Sequence, residues 1–132
     1  MKAVTVRQPY ASLISVGLKT YEFRNLNTKY RGPIYIHAAV QSFNDKLYLA
    51  TKYHLDCPHA VIVAKANLAD CIPNNEKLQQ KLKQSNHLIY GSNCHKYAWV
   101  LTDIKPINSK TIVKGQLGIW NIKDESLIKE LI

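Results

Sequence analysis

Acidic residues, cysteines and long apolar runs are all scarce in this chain. Nine Asp and Glu oppose eighteen Lys and Arg, for a formal charge of +9. The imbalance is sharpest in residues 1–31, where Lys2, Arg7, Lys19, Arg24, Lys29 and Arg31 face only Glu22. A basic face draws in polyanions through its long-range potential, so nucleic acid or a phosphate-bearing ligand is the first partner class to consider. Cys57, Cys71 and Cys94 are odd in number and contain no CxxC pair. That argues against a disulfide framework and for a reducing compartment. No stretch approaches the ~20 apolar residues that a membrane-spanning helix needs. The opening "MKAVTVRQPY" has no apolar core of the kind found in secretory signals. A cytoplasmic protein without membrane contact is therefore expected. Phenylalanine is rare too, two residues against eight tyrosines. Tyrosine joins an apolar ring to a polar tip and suits half-buried surfaces and stacking platforms.

What is present fits one domain over residues 1–132, long enough to bury roughly two-thirds of its unfolded surface without staples. There is no repeat, linker or low-complexity segment. "AVTVR" alternates and is β-branched, which predicts a strand over Ala3–Arg7. "QPYASLISVGLK" reads as a short helix with Pro9 at its first position, Leu13 and Ile14 buried, and Gly17 as a left-handed cap. "KTYEFR" and "GPIYIHAA" are the next two strands, the second with Ile34 and Ile36 on one face and Tyr35 and His37 on the other. "SFNDKLYLATKY" has helical spacing through Phe43, Leu47 and Ala50, and "HAVIVAKANLADCI" reads as a central strand. "NNEKLQQKLKQ" is an amphipathic helix with Leu78 and Leu82 inward and Lys77 and Lys81 outward. "KYAWVLTDIKPI" is a strand that Pro106 ends, "KGQLGIWNI" is a turn and strand, and "DESLIKELI" is a helix capped by Asp124. Five or six strands with short helices between them predict a mostly β, α+β molecule, a small and mostly antiparallel barrel with helical plugs.

The segment "GLKTYEFRN" carries charge at fixed offsets. Residues two apart on a strand share a face, so Thr20, Glu22 and Arg24 point one way and Tyr21 and Phe23 the other. Lys19 leaves the Gly17 turn, where alternation does not yet fix direction, and can join Glu22 and Arg24. Two cations beside one carboxylate suit an anion or the polar edge of a nucleobase. The same spacing also suits a solvated salt-bridge cluster worth under ~1 kcal/mol.

The pattern G-x-K-x-x-E-x-R formed by Gly17, Lys19, Glu22 and Arg24 resembles that of the ASCH (activating signal cointegrator homology) domain family. At average residue frequencies those four positions recur by chance in about one chain in five hundred of this length. "VRQPYASLI", "YRGPIYIHAA" and "KGQLGIWNI" fit the family in the same order, so the resemblance spans nearly the whole chain. It implies a PUA-like fold (related to pseudouridine synthases and archaeosine transglycosylases), a small mixed β-barrel with peripheral helices and a cleft beside the motif. It also implies an RNA- or nucleotide-binding role. On this resemblance Lys19, Glu22 and Arg24 line the cleft, Arg7, Gln8 and Tyr10 join from just upstream, and His37 is a weaker, exposed member. Lys and Arg would grip phosphate, Glu would accept from a base amino group, and tyrosine would stack.

Some small members of the family are amidohydrolases that deacetylate N4-acetylcytidine, with a lysine, a threonine and a distant glutamate. Here Glu22 stands where that threonine falls, and Glu76 is a loose counterpart of the distant acid. If the protein is an enzyme, Lys19 and Glu22 are the candidate catalytic pair, for hydrolysis of a modified nucleoside or metal-independent RNA cleavage. No cofactor and no metal are implied. His54, Cys57 and His59, with Cys94 and His95, match no common zinc spacing. Cys71 reads as a small buried hydrophobe, and Trp99 and Trp120 as core, Trp120 also being placed to edge the cleft. No protein partner is legible.

Overall fold

The computed structural model describes residues 1–90 and 94–132, with residues 86–88 described for their backbone alone. The strands are β1 (Lys2–Gln8), β2 (Tyr21–Arg24), β3 (Gly32–Ser42), β4 (Ile62–Pro73), β5 (Tyr97–Pro106) and β6 (Ile119–Asn121). The helices are α1 (Tyr10–Ser15), α2 (Tyr48–Lys52), α3 (Glu76–Tyr90) and α4 (Glu125–Leu131), with a 3-10 turn at Asn44–Lys46. The strands form one mixed sheet in the order β2-β5-β4-β3-β1-β6. β1 and β3 run parallel, and every other pairing is antiparallel. The long apolar run of β4 is central, between β3 and β5, as its composition requires.

The sheet is curled but does not close, which corrects the expected barrel. β6 has three residues and covers only Lys2 to Val4 of β1, while the four residues of β2 pair with β5 alone. No ladder joins β1 to β2. Instead the Arg24 guanidinium of β2 donates to the Thr5 carbonyl of β1 at 2.5 Å, so the two strands face each other across a seam that side chains fill.

Three buried clusters hold the fold. The largest lies inside the curl and includes Val4, Val6, Ile34, Ile36, Leu68 and Trp99. A second packs α1, α2 and α3 against β2 and β5 through Leu13, Leu49, Leu78, Leu82 and Phe23. The third lies on the other face of β1 and β3, where Ala3, Tyr35 and Ile62 meet Trp120, Ile122 and Leu127.

That third cluster removes a predicted site residue. His37 was expected to be exposed opposite Ile36, but both faces of β3 are covered and His37 is 0% exposed. Its Nε2 donates to the Val113 carbonyl at 2.9 Å, Thr5 Oγ1 lies 3.2 Å from Nδ1, and the Trp120 ring packs edge-on. The segment 107–118 and α4 fold back over this face, a long-range event that strand alternation does not report. Burial lowers the His37 pKa from its usual 6.5, which keeps the ring neutral. Other differences are smaller. Pro9 precedes α1 rather than opening it. The Phe43–Ala50 segment splits into the 3-10 turn and α2, and Leu49 is its buried residue, while Phe43 and Leu47 are exposed. α3 continues to Tyr90, past the predicted end. Asp124 caps α4 as expected, its carboxylate accepting from Leu127 N at 2.9 Å.

Candidate functional site

The end of α1 sets the position of Lys19. Gly17 adopts φ +82°, a left-handed conformation that costs glycine little. Its N–H bonds to the Ile14 carbonyl at 2.9 Å and the N–H of Leu18 to that of Leu13 at 3.0 Å, a Schellman closure. The Lys19 N–H also reaches the Leu13 carbonyl, so the chain leaves the helix in one fixed direction. Thr20 is held next, its N–H donating to the Tyr90 hydroxyl at 2.7 Å and its carbonyl accepting from Leu101 N at 2.9 Å.

Lys19 therefore turns into the seam rather than out to solvent, and only 3% of it is exposed. Its Nζ donates to the Tyr21 carbonyl at 2.5 Å and lies 3.9 Å from Glu22 Oε1. Three rings surround it, Phe23 at 4.8 Å, Tyr90 at 5.1 Å and Tyr10 at 5.3 Å from their centroids. Ring faces attract a cation, each by about 0.5–2 kcal/mol. Desolvation works against the charge, with Arg24 adding to it and Glu22 opposing it, and the Lys19 pKa falls from 10.5 to about 8. Glu22 is itself buried, at 7% exposure, and its other oxygen accepts from Arg24 Nε at 2.9 Å. A buried carboxylate between two cations is a built arrangement, not a solvated surface cluster.

Above these groups opens a cleft of about 400 Å³. Lys19, Glu22, Phe23, Arg24 and Tyr90 contribute to its walls together with Thr5 and Val6 of the facing strand. Arg7, Tyr10, Phe43, Asp45, Lys46, Ile89 and His95 complete the lining. Arg7 stacks over Phe43 with 5.0 Å from guanidinium carbon to ring centroid, and bonds Gln41 at 2.8 Å. Phe43 in turn packs edge-on against Tyr10 at 5.5 Å. Burial, with Asp45, Tyr48 and Glu22 nearby, raises the Tyr10 pKa, which keeps its hydroxyl protonated.

Five of the seven expected site residues thus come together: Arg7, Tyr10, Lys19, Glu22 and Arg24. His37 does not, for the reason given above. Gln8 does not either. It is 0% exposed, and its amide donates to Ser12 Oγ and the Pro58 carbonyl and accepts from Ser12 N, which ties α1 to the loop before β4. Phe23 was expected to point away, yet its ring is a wall of the Lys19 cage. Trp120 lies by a second groove with Val113 and Leu127 instead of edging the cleft. Glu76 is exposed at the start of α3 and does not line the cleft. Sequence reasoning missed Thr5, Phe43, Lys46 and Tyr90. The basic character of Lys46 and the aromatic character of Phe43 and Tyr90 were visible signals, but neither fixes a position, and Thr5 carried none.

Among the described residues, no three His, Cys, Asp or Glu side chains converge in a way that would hold a metal. The His59 ring bonds the Ala39 carbonyl at 2.8 Å, while Cys57 is half-buried with its thiol pKa raised by burial. All three cysteines are free. No helix among the described residues is long and apolar enough to cross a membrane.

The curled mixed sheet with its flanking helices is consistent with the fold of the PUA-like superfamily, to which ASCH domains belong. Within that class, the ASCH domain profile matches residues 4–111, and the chain belongs to the ASCH domain family. The fold is similar to that of the ASCH protein from Zymomonas mobilis, with a TM-score of 0.59 at 15% identity over 98% of this chain and 92% of that one. Two single-substitution variants of that protein give TM-scores of 0.57 and 0.56, at 14% and 15% identity, over 98% of this chain and 94% and 92% of theirs. At such identity the likeness concerns the fold alone. No curated protein matches the chain.

Proposed function

We propose that residues 1–132 act as one ASCH domain that binds single-stranded RNA, taking one nucleotide into the cleft. The observation that carries this reading is the buried Lys19–Glu22–Arg24 set at the cleft, with Arg7 and Lys46 on the same lining. A volume of about 400 Å³ lies in the range of sites that enclose a small ligand. Arg7 and Lys46 hold phosphate, Glu22 and Arg24 meet the polar edge of the base, and Tyr10 and Tyr90 supply ring contact. Gln8 and His37 take no part. The free cysteines support work in a reducing compartment such as the cytoplasm. Titration of a 15N-labelled sample with cytidine and uridine monophosphates tests the reading. Amide shifts gathered around Tyr10, Lys19 and Arg24 support it, and shifts confined to other surfaces overturn it.

A second reading, hydrolysis of a modified nucleoside such as N4-acetylcytidine or of the RNA strand itself, is favoured by one observation. Lys19 loses its proton near pH 8, so a useful fraction is the free base near neutrality. Glu22, 3.9 Å away, is the only carboxylate beside it among the described ion pairs. Turnover of N4-acetylcytidine or single-stranded RNA that vanishes in Lys19→Met supports this reading, and the absence of turnover with either substrate removes it.

A further inference from the structure

Nucleotide binding leaves the Lys19 amine itself unexplained. A phosphate-gripping lysine sits at a rim, in water, and swings. This one is 3% exposed, closed in by three rings, and tethered to the Tyr21 carbonyl. Two conditions make a lysine amine a nucleophile toward carbonyl carbon: desolvation in an apolar pocket and a second cation nearby. Lys19 meets both, through the rings and through Arg24, which shares the Glu22 carboxylate with it.

We propose that Lys19 captures the ring-opened aldehyde of an abasic nucleotide held in the cleft, forming an imine through its Nζ. This rests on the cleft being a site for a nucleotide of single-stranded RNA. An intact nucleotide brings a base to the floor of the cleft and keeps its sugar closed. A nucleotide that has lost its base vacates that space, and its sugar opens to a free aldehyde at C1. The flanking phosphates keep their hold on Arg7 and Lys46, so the aldehyde is led toward Lys19, the one buried amine among the described residues. Little of that amine is exposed, which favours a slender, unsubstituted aldehyde on a flexible chain.

The step balances without any further reagent. The lone pair of the neutral Nζ forms the bond to C1, and the carbonyl π electrons move onto oxygen. The Glu22 carboxylate, 3.9 Å away, takes one of the two protons on nitrogen and passes it to that oxygen, giving a hydroxyl. The remaining nitrogen proton follows by the same carboxylate to the hydroxyl, which departs as water while nitrogen forms the second bond to C1. Aldehyde and amine thus give imine and one water, with no change in oxidation state. The rings of Tyr10, Phe23 and Tyr90 limit access of bulk water, the reagent that would reverse the step. With the Lys19 pKa near 8, about a tenth of the amine is neutral at pH 7, against under a thousandth for a lysine at ~10.4. Burial, at 3% exposure, separates Lys19 from the surface lysines.

The test uses the full chain and a labelled single-stranded RNA carrying one synthetic abasic ribose, beside the intact strand of the same sequence. Sodium cyanoborohydride at pH 7 reduces any imine to a stable amine, read as a shifted band on a denaturing gel and mapped by mass spectrometry. The expected result is an adduct with the abasic strand only, located at Lys19 and reduced at least about ten-fold in both Lys19→Met and Lys19→Arg. Met preserves the apolar filling of the cage and Arg preserves the charge, so loss in both reports the amine and not the fold. Binding of both strands without an adduct, or an adduct of equal yield in both variants, overturns capture while leaving nucleotide binding intact. Failure of both strands to bind overturns the two together.

Discussion

Arg24 in β2 donates to the Thr5 carbonyl of β1 at 2.5 Å, across the one place where the curled sheet has no backbone ladder. The same guanidinium bonds Glu22 through Nε at 2.9 Å and lies over the Trp99 ring at 5.7 Å. One side chain therefore spans the seam, neutralises a buried carboxylate and rests on the core. A ladder between β1 and β2 would have filled this space with peptide groups. Its absence is what leaves room for a cleft.

Replacing Arg24 by Ala leaves Glu22 with Lys19 as its remaining described cation and removes a donor from Thr5. Allowing for the 24% exposure of the Arg24 side chain, the expected loss is about 1–3 kcal/mol. Arg24→Lys restores charge but not the fork that reaches both partners, so it recovers less than half. Urea denaturation of the three proteins checks this, and an Arg24→Ala loss below ~0.5 kcal/mol contradicts it.

Lys19 makes stability depend on pH in the alkaline range. Its folded pKa of about 8 lies below the usual 10.5, so between those values the unfolded chain binds the extra proton. Stability rises with pH wherever the unfolded state holds more protons. The penalty for burying the ammonium is thus complete below about pH 8 and is relieved as pH climbs toward 10.5. The full shift corresponds to roughly 3 kcal/mol. Tyr10 faces the same amine with its pKa raised by burial, so the comparison is made against Lys19→Met between pH 7 and 9.5, below the range where that hydroxyl ionises. Wild type is expected to gain stability relative to the variant across that range. A flat difference contradicts the buried-amine assignment.

Gly115 holds segment 107–118 against β1. A Cβ there would lie 2.7 Å from Thr5 Oγ1 and 2.8 Å from Thr5 Cγ2, closer than real contacts allow. Thr5 cannot yield freely, because its hydroxyl accepts from Trp120 Nε1 at 3.0 Å and lies 3.2 Å from His37 Nδ1. Gly115→Ala is expected to cost about 1–3 kcal/mol through overpacking. Thermal melting checks it, and an unchanged midpoint contradicts this packing.

His37 gives the segment an acid limit. Its pKa is lowered by burial, so below 6.5 the unfolded chain takes up a proton that the folded chain refuses, and stability falls as pH falls from there. Asn or Gln at position 37 keeps polar partners without titrating. Denaturation midpoints between pH 7 and 5 are expected to drop more steeply in wild type than in His37→Gln, and parallel slopes contradict this.

Elements whose signals are local were legible in the sequence. β1, β4 and β5 follow from β-branched and alternating runs, the Gly17 turn from glycine after an apolar helix, and the α4 cap from Asp124. Strand parity put Glu22 beside Arg24, and the motif, not parity, added Lys19 to them. His37 and Gln8 escaped because parity tells which residues share a face, not what later folds over that face. Segment 107–118 covers one, and the Asp56–Pro58 loop bonds the other's neighbourhood. Tyr90 and Phe43 reach the cleft from distant elements, so no local pattern marks them. The missing closure of the barrel follows from the shortness of β2 and β6, and strand length is the feature that single-sequence reading fixes least well.

The most direct test of the cleft as an RNA site is the salt dependence of binding to a labelled single-stranded RNA, measured by fluorescence anisotropy for wild type, Arg7→Ala and Lys46→Ala. Each phosphate released from a cation should lower the log–log salt slope by about 0.7. Binding in wild type, with a shallower slope and weaker affinity in both variants, is the expected result. Equal affinity and equal slope in all three proteins, or no binding at low salt, would contradict it.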